Sequence, residues 1–147
     1  MADKNVADHK YVSPMFHNAI TLIRAIYDFA LDTGESDDDY MLITAGSDDV
    51  VIHGYWVRGI TLFDSAGDGT TVDVGVDGGD EDILMDGIVE ASFAADALLQ
   101  ATIVEGAPNV MPMPLILPAN TAIRMKFAVE DLTSGKAEFN FLVSKYK

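Results

Sequence analysis

Hydrophobic and polar positions alternate most cleanly in the last forty residues of the chain. Ile123, Met125, Phe127 and Val129 interleave with Arg124, Lys126 and Glu130, and Phe139, Phe141 and Val143 interleave with Glu138, Asn140 and Ser144. The polar run Asp131-Leu132-Thr133-Ser134-Gly135-Lys136 lies between them, which predicts a β-hairpin with one dry face. Thr71–Asp77 has the same period, with Val72, Val74 and Val76 inward and Thr71, Asp73 and Asp77 outward. Val50–Phe63 is a long β-forming run in which Ile52, Trp56, Ile60 and Leu62 share a face. Arg58 falls on that face too, so the adjacent Gly59 is expected to host a bulge that resets the phase.

Shorter strands are expected at Tyr40–Thr44, Ile88–Phe93 and Leu98–Val104, with Ala94–Ala97 as a helical turn between the last two. In Met111–Leu117 the residues Met111, Met113, Leu115 and Leu117 share one face. Pro112 and Pro114 on the other face cannot donate to a ladder, which places this strand at a sheet edge. Ala19–Asp32 supports two periods. Ile20, Ile23, Tyr27 and Ala30 fit a helical stripe, whereas Tyr27, Phe29 and Leu31 alternate as a strand, and the β-rich content favours a strand in the C-terminal half. Residues 1–16, with the helix-averse Ser13-Pro14 step, are expected to form an extended arm, removable without loss of the β fold. About eight short strands with turns between them describe an all-β fold, an antiparallel sandwich of jelly-roll type spanning residues 17–147 as a single domain.

Charge adds a second pattern. The 147 residues carry 24 acids against 9 Lys and Arg, a formal net charge of −15. Between Ala25 and Ile123 there are nineteen acids and one base, Arg58, while the two ends carry a small basic excess. If the ends meet in space, the molecule has a near-neutral pole on a strongly acidic body, suited to orienting on an acidic partner. Nucleic acid is not expected as a partner, because its binding draws on clustered cations. No apolar run approaches the ~20 residues of a membrane span, and the first twenty residues lack a signal-peptide core. With no cysteine, thiolate metal sites and cysteine nucleophiles are excluded.

Little in the chain is built for chemistry. Asp32-Thr33-Gly34 after Phe29-Ala30-Leu31 resembles the active-site triplet of retropepsin-like aspartic proteases, where two such carboxylates meet across a dimer axis and activate water. The glycine-rich flap and C-terminal helix of that family have no counterpart here. Asp64, Asp68, Asp77, Asp80, Asp82 and Asp86 offer hard oxygen ligands for Ca²⁺, yet none has EF-hand spacing, and Asp with Gly also makes solvated turns. His9, His17 and His53 are too scattered for a metal trio. No nucleophile elbow, P-loop or dinucleotide fingerprint occurs, so no catalytic residue, metal site or cofactor is assigned. Tyr55 and Trp56 on the long strand are the candidates for stacking a sugar, against the plainer reading of Trp56 as core.

The order of these segments carries a resemblance. An irregular N-terminal arm, the long strand Val50–Phe63, the valine strand closed by Gly-Asp turns at 71–79, the turn Pro118-Ala119-Asn120-Thr121 and a final hairpin through Asp131–Gly135 resemble the small jelly-roll virion proteins of tailed bacteriophages, in particular the capsid decoration (cement) proteins. The resemblance covers about Tyr40 to Lys147. It implies a non-enzymatic homotrimer, made in the host cytoplasm, on the outer face of a phage head, where it braces major capsid protein subunits. With the charge asymmetry, it points to Lys4, Lys10, Tyr11 and Phe16 in the arm and Lys145 and Tyr146 at the other terminus as capsid-facing. The alternative is a tail or head-fibre module that binds a host surface glycan through Tyr55 and Trp56.

Overall fold

The computed structural model describes residues 3–12, 19–100 and 114–146. Among them ten strands follow in order: β1 (Asp3–Val12), β2 (Thr21–Asp28), β3 (Asp39–Ala45), β4 (Val50–Ser65), β5 (Thr71–Val76), β6 (Met85–Val89), β7 (Leu98–Gln100), β8 (Leu115–Leu117), β9 (Ala122–Ala128) and β10 (Leu132–Lys145). One helical turn, α1 (Phe29–Asp32), follows β2, and a 3-10 turn, Glu90–Ser92, follows β6. The fold is all-β and jelly-roll-like. Its strands run in the order β6-β5-β9-β3-β1-β2-β10-β4-β7, with β8 also on β4. Every pairing is antiparallel except β1 with β3, which is parallel.

This long sheet curls so that its two halves face each other. Tyr27 of β2 meets Tyr40 of β3 at 5.6 Å and Phe127 of β9 at 5.4 Å between ring centroids. Phe63 of β4 packs on Tyr27 at 5.6 Å and stacks on Phe93 at 4.7 Å. All five rings are fully buried. Aromatic side chains in such positions contribute about 3–5 kcal/mol each against truncation to alanine, so this cluster dominates the packing between the halves. The two tyrosine hydroxyls are not stranded: Tyr27 donates to the Thr33 carbonyl at 2.5 Å, and Tyr40 accepts from the Glu35 amide at 2.7 Å.

The alternating runs at 123–127 and 139–143 are strands with buried apolar faces, but they do not pair with each other. β9 is flanked by β3 and β5, and β10 by β2 and β4, so both edges of each strand are filled. The chain crosses from one half to the other at Val129-Glu130, where Val129 takes a left-handed φ of 83° and is 75% exposed rather than on the dry face. Backbone and side-chain bonds fix the crossover: Leu132 N donates to the Gly34 carbonyl at 2.7 Å, and Ser36 donates to Asp131 from both its amide and its hydroxyl.

The phase of β4 also differs from the sequence expectation. A register shift against β10 falls between Ile52 and Gly54, so Val50 and Ile52 before it and Tyr55 and Val57 after it all face the core. Ile60 and Leu62 are consequently exposed, and Trp56 is half-buried on the outer face. The region of Gly59 is irregular too, and there the need for glycine is steric. A Cβ at Gly59 would lie 2.0 Å from the Ala94 carbonyl oxygen, where the segment before β7 crosses over. In Ala19–Asp32 the strand occupies Thr21–Asp28, and Leu31, on the helical turn, is exposed. The strand expected at Ile88–Phe93 ends at Val89 and passes into the 3-10 turn. Leu115–Leu117 lies along β4 alone, as an edge strand, while residues 111–113 lie outside the described residues.

Residues 3–12 run extended, but within the sheet. β1 pairs with β3 at Asp3–Asn5 and again at Lys10–Val12, and in the gap it turns to β2, with Asp8 opposite Ile26. Val6 and Val12 enter the core. The sequence hides this because β1 buries only those two large side chains, too few to show a period. Removing residues 1–12 should therefore strip two core side chains and expose the facing edges of β2 and β3. A chain so truncated is expected to lose its cooperative thermal transition by circular dichroism; melting near the full-length temperature would contradict this placement.

Candidate functional site

The β3–β4 turn, Gly46–Asp49, is the hub of one end of the sandwich. Gly46 N donates to the Val12 carbonyl at 3.0 Å, tying down the end of β1. Asn120 N donates to the Gly46 carbonyl at 2.9 Å, and Ala119 N to Asp49 Oδ1 at 2.8 Å, which anchors the turn before β9. Tyr146 N donates to the Asp49 carbonyl at 3.0 Å, and Lys145 Nζ lies 3.1 Å from Asp48, which anchors the end of β10. Four of the expected contact residues, Lys10, Tyr11, Lys145 and Tyr146, thus gather on or beside one rigid turn. Lys4 sits at the other end of β1, roughly 20 Å away at strand rise. Phe16 lies outside the described residues.

The cations at these positions are already engaged. Lys4 is bonded to Asp38 and Glu35, which hold its ammonium well above the ordinary lysine range. Lys10 pairs with Asp8, and Lys145 with Asp48. Elsewhere Arg24 meets Glu138, Arg58 meets Asp96, Lys136 meets Asp28, and the buried Arg124 bridges Asp39 and Glu81. Lys126 stands on the rungs of Asp39 and Asp73. The basic ends do meet partly in space, but as neutral pairs and not as a cationic pole. These pairs leave an excess of acid; Tyr11, edge-on to His9 with ring centroids 4.7 Å apart, is 71% exposed and Tyr146 is 37% exposed.

The other candidates separate. Tyr55 and Trp56 are neighbours on β4 and point to opposite faces. Tyr55 is in the core, 5.1 Å from Phe141, with its hydroxyl 3.5 Å from Met85 Sδ. It has no free face for a sugar. Trp56 lies on the outer face between Asn140 and Gln100. Asp32 is buried at the end of α1, and its carboxylate accepts the Ala7 amide on one oxygen and the Asp28 amide on the other, at 2.8 Å for the latter. It fills the gap where β1 leaves β3, a joining role. Of the six acids with calcium-type chemistry, Asp64 and Asp68 flank the β4–β5 turn. Asp77, Asp80, Asp82 and Asp86 belong to the stretch after β5, where contact with Asp82 pushes the Asp80 carboxyl up. His9 bonds Thr44 at 2.8 Å and His53 bonds Ser144 at 2.7 Å; His17 lies outside the described residues.

No family model matches the sequence, and no curated protein matches it. Two solved structures share the fold. One is a chain of the capsid of Ralstonia phage GP4, with a TM-score of 0.60 and 13% identity over 93% of this chain and 91% of that one. The other belongs to the cyanophage Pam1 capsid asymmetric unit, with a TM-score of 0.57 and 15% identity over 92% and 91% of the two chains.

Two predictions follow from the electrostatics. Asp32→Ala removes the acceptor of two part-buried amides and should cost about 1–3 kcal/mol in denaturant unfolding, because water replaces part of what is lost; an unchanged midpoint would remove its joining role. Burial pushes the carboxyls of Asp32, Asp39, Asp86 and Glu90 up, and Asp80 moves the same way. At these sites the folded chain binds protons at higher pH than the unfolded chain, so stability falls as pH rises through their folded values. His9, held down by burial, acts oppositely and is a single group. The melting temperature should therefore rise as pH is lowered from 7 towards about 5. It should fall again below the ordinary carboxylate range of about 4, where Asp28 and Asp131, both held down by bonds to their partners, lose their charge. A melting temperature that drops steadily from pH 7 would contradict this assignment.

Proposed function

We propose that the chain is a non-enzymatic virion structural protein: a decoration or cement protein that binds the outer face of a phage head and braces its major capsid protein subunits, acting as a homotrimer. The observation that carries this reading is the two-way extent of the fold match. About nine-tenths of this chain corresponds to about nine-tenths of a capsid chain in each of two phages. The correspondence therefore runs over most of both chains, which supports a small capsid-associated subunit of this fold.

The surface supports the same reading. Among the described residues most cations are paired internally and acids are in excess, which keeps copies soluble and apart before assembly. The docking end is then the hub at Gly46–Asp49, with Tyr11 and Tyr146 as contacts. Exposed tyrosines at strand ends tied to one turn present large apolar area at low entropic cost, and such residues commonly dominate interfaces. Lys4, Lys10 and Lys145 contribute less, because each must first leave an acid of its own chain. Many weak joints held at once then stabilise a shell without any chemical step. The glycan alternative retains only Trp56, since Tyr55 is in the core.

Purified heads lacking the protein provide the test. The wild-type chain should co-sediment with them to saturation and raise the temperature at which they release DNA. Tyr11→Ala/Tyr146→Ala should bind at least about tenfold more weakly with the cooperative melting transition retained, since neither side chain is in the core. Absence of wild-type binding would overturn the cement reading; full binding by the double variant would overturn the docking end. Sedimentation equilibrium of the free chain tests the trimer.

A further inference from the structure

The end of β4 and the turn that follows it close around a group of carboxylates. Gly67 N donates to Glu130 Oε2 at 2.8 Å, and Thr70 Oγ1 donates to the Glu130 carbonyl at 2.7 Å, so the turn wraps the β9–β10 crossover. Asp68 takes a left-handed φ of 56° there. Beneath the turn, Glu90 N donates to the Thr70 carbonyl at 3.0 Å, and the 3-10 turn begins at this residue. Glu90 is only 4% exposed, and its Oε2 is buried with no hydrogen-bond partner among the described residues. Asp64, Asp68 and Glu90 each bring a carboxylate oxygen to within 4.8 Å of the others. None of the three, nor Glu130, forms an ion pair with a lysine or arginine of the described residues.

An ionised carboxylate buried without a partner is costly, and two more within 5 Å add repulsion. Burial raises the Glu90 carboxyl first; Asp64, Asp68 and Glu130 add to this, and the Ser65 hydroxyl beside it pulls the other way. A proton on Glu90 would relieve part of the cost, but it would leave Asp64 and Asp68 unexplained. Oxygens bound to one Ca²⁺ at about 2.3–2.6 Å lie at most about 5 Å apart, and these three satisfy that bound. The donor set is all hard oxygen, without the imidazole or thiolate that favours zinc. Asp64 lies at the end of a strand and Asp68 sits on the exposed turn after it, which suits the variable coordination of Ca²⁺ better than the strict octahedron of Mg²⁺.

We propose that Asp64, Asp68 and Glu90 form a Ca²⁺ site that pins the β4–β5 turn to the 3-10 turn after β6. Water and Glu130, already held at the turn, are available to complete the shell. Asp64 and Asp68 belong to an Asp-Gly turn visible in the sequence. Glu90, which lies in an apolar run far along the chain, supplies the buried ligand.

The test uses the full chain after chelator treatment, with CaCl₂ titrated calorimetrically at constant ionic strength. One Ca²⁺ per chain should bind, Mg²⁺ should bind more weakly, and the melting temperature should rise with Ca²⁺. Glu90→Gln and Asp68→Asn should each weaken Ca²⁺ by at least about tenfold, the least that losing even an outer-shell group commonly costs. Asp82→Asn, in the other acidic loop, should bind as the wild type does. Because Asp68 is exposed, its variant carries the test even if Glu90→Gln does not fold. No calcium-dependent heat or melting shift in the wild type would overturn the site. So would an equal loss in Asp82→Asn, which would mean diffuse counterion binding to the acidic surface.

Discussion

The structure depends on one strand belonging to both halves of a curled sheet. β1 pairs in parallel with β3 at its two ends and leaves it in the middle to meet β2. The detour creates a backbone gap that leaves amides without a strand partner. The Asp32 carboxylate closes it by accepting from Ala7 and Asp28. With that join made, the sheet folds over and Tyr27, Tyr40, Phe63 and Phe127 meet in a dry core. Every other strand hangs from this core, including the loops at either end.

Much of this was legible from local pattern. The valines of β5 and the alternating residues of β9 and β10 have their apolar faces inward, with Val129 the exception at the chain crossover. Pairing was not legible, because two alternating runs joined by a short polar segment look alike whether they form a hairpin or cross between facing layers. The phase of β4 was hidden for a related reason. A one-residue shift near Gly54 inverts which side chains are inward, and periodicity read across the shift assigns Ile60 and Leu62 to the core and Tyr55 to the surface. Asp32-Thr33-Gly34 resembles an active-site triplet because a carboxylate before Thr-Gly is common to such a triplet and to a capped turn. Only its two amide partners distinguish them.

The charge pattern was legible as a sum and not as a surface. Basic residues concentrate near the two ends of the chain, yet folding brings an acid to each of Lys4, Lys10 and Lys145. The result is a molecule with no free cationic face among its described residues and a large acidic remainder. Such a charge distribution repels other anions and like copies of the chain. Its contacts with a shell would then rest on shape and on exposed aromatic groups at the rigid turn Gly46–Asp49. Asp32 is accounted for by the two amides it accepts and Asp39 by its pair with Arg124.

A cryo-electron microscopy reconstruction of heads saturated with the chain tests the central claim most directly. The account predicts a sandwich of this size docked as a rigid body on the outer surface, at joints between shell subunits, with the Gly46–Asp49 end inward. Density confined to the interior or to a tail vertex, or heads with no added density, would contradict it.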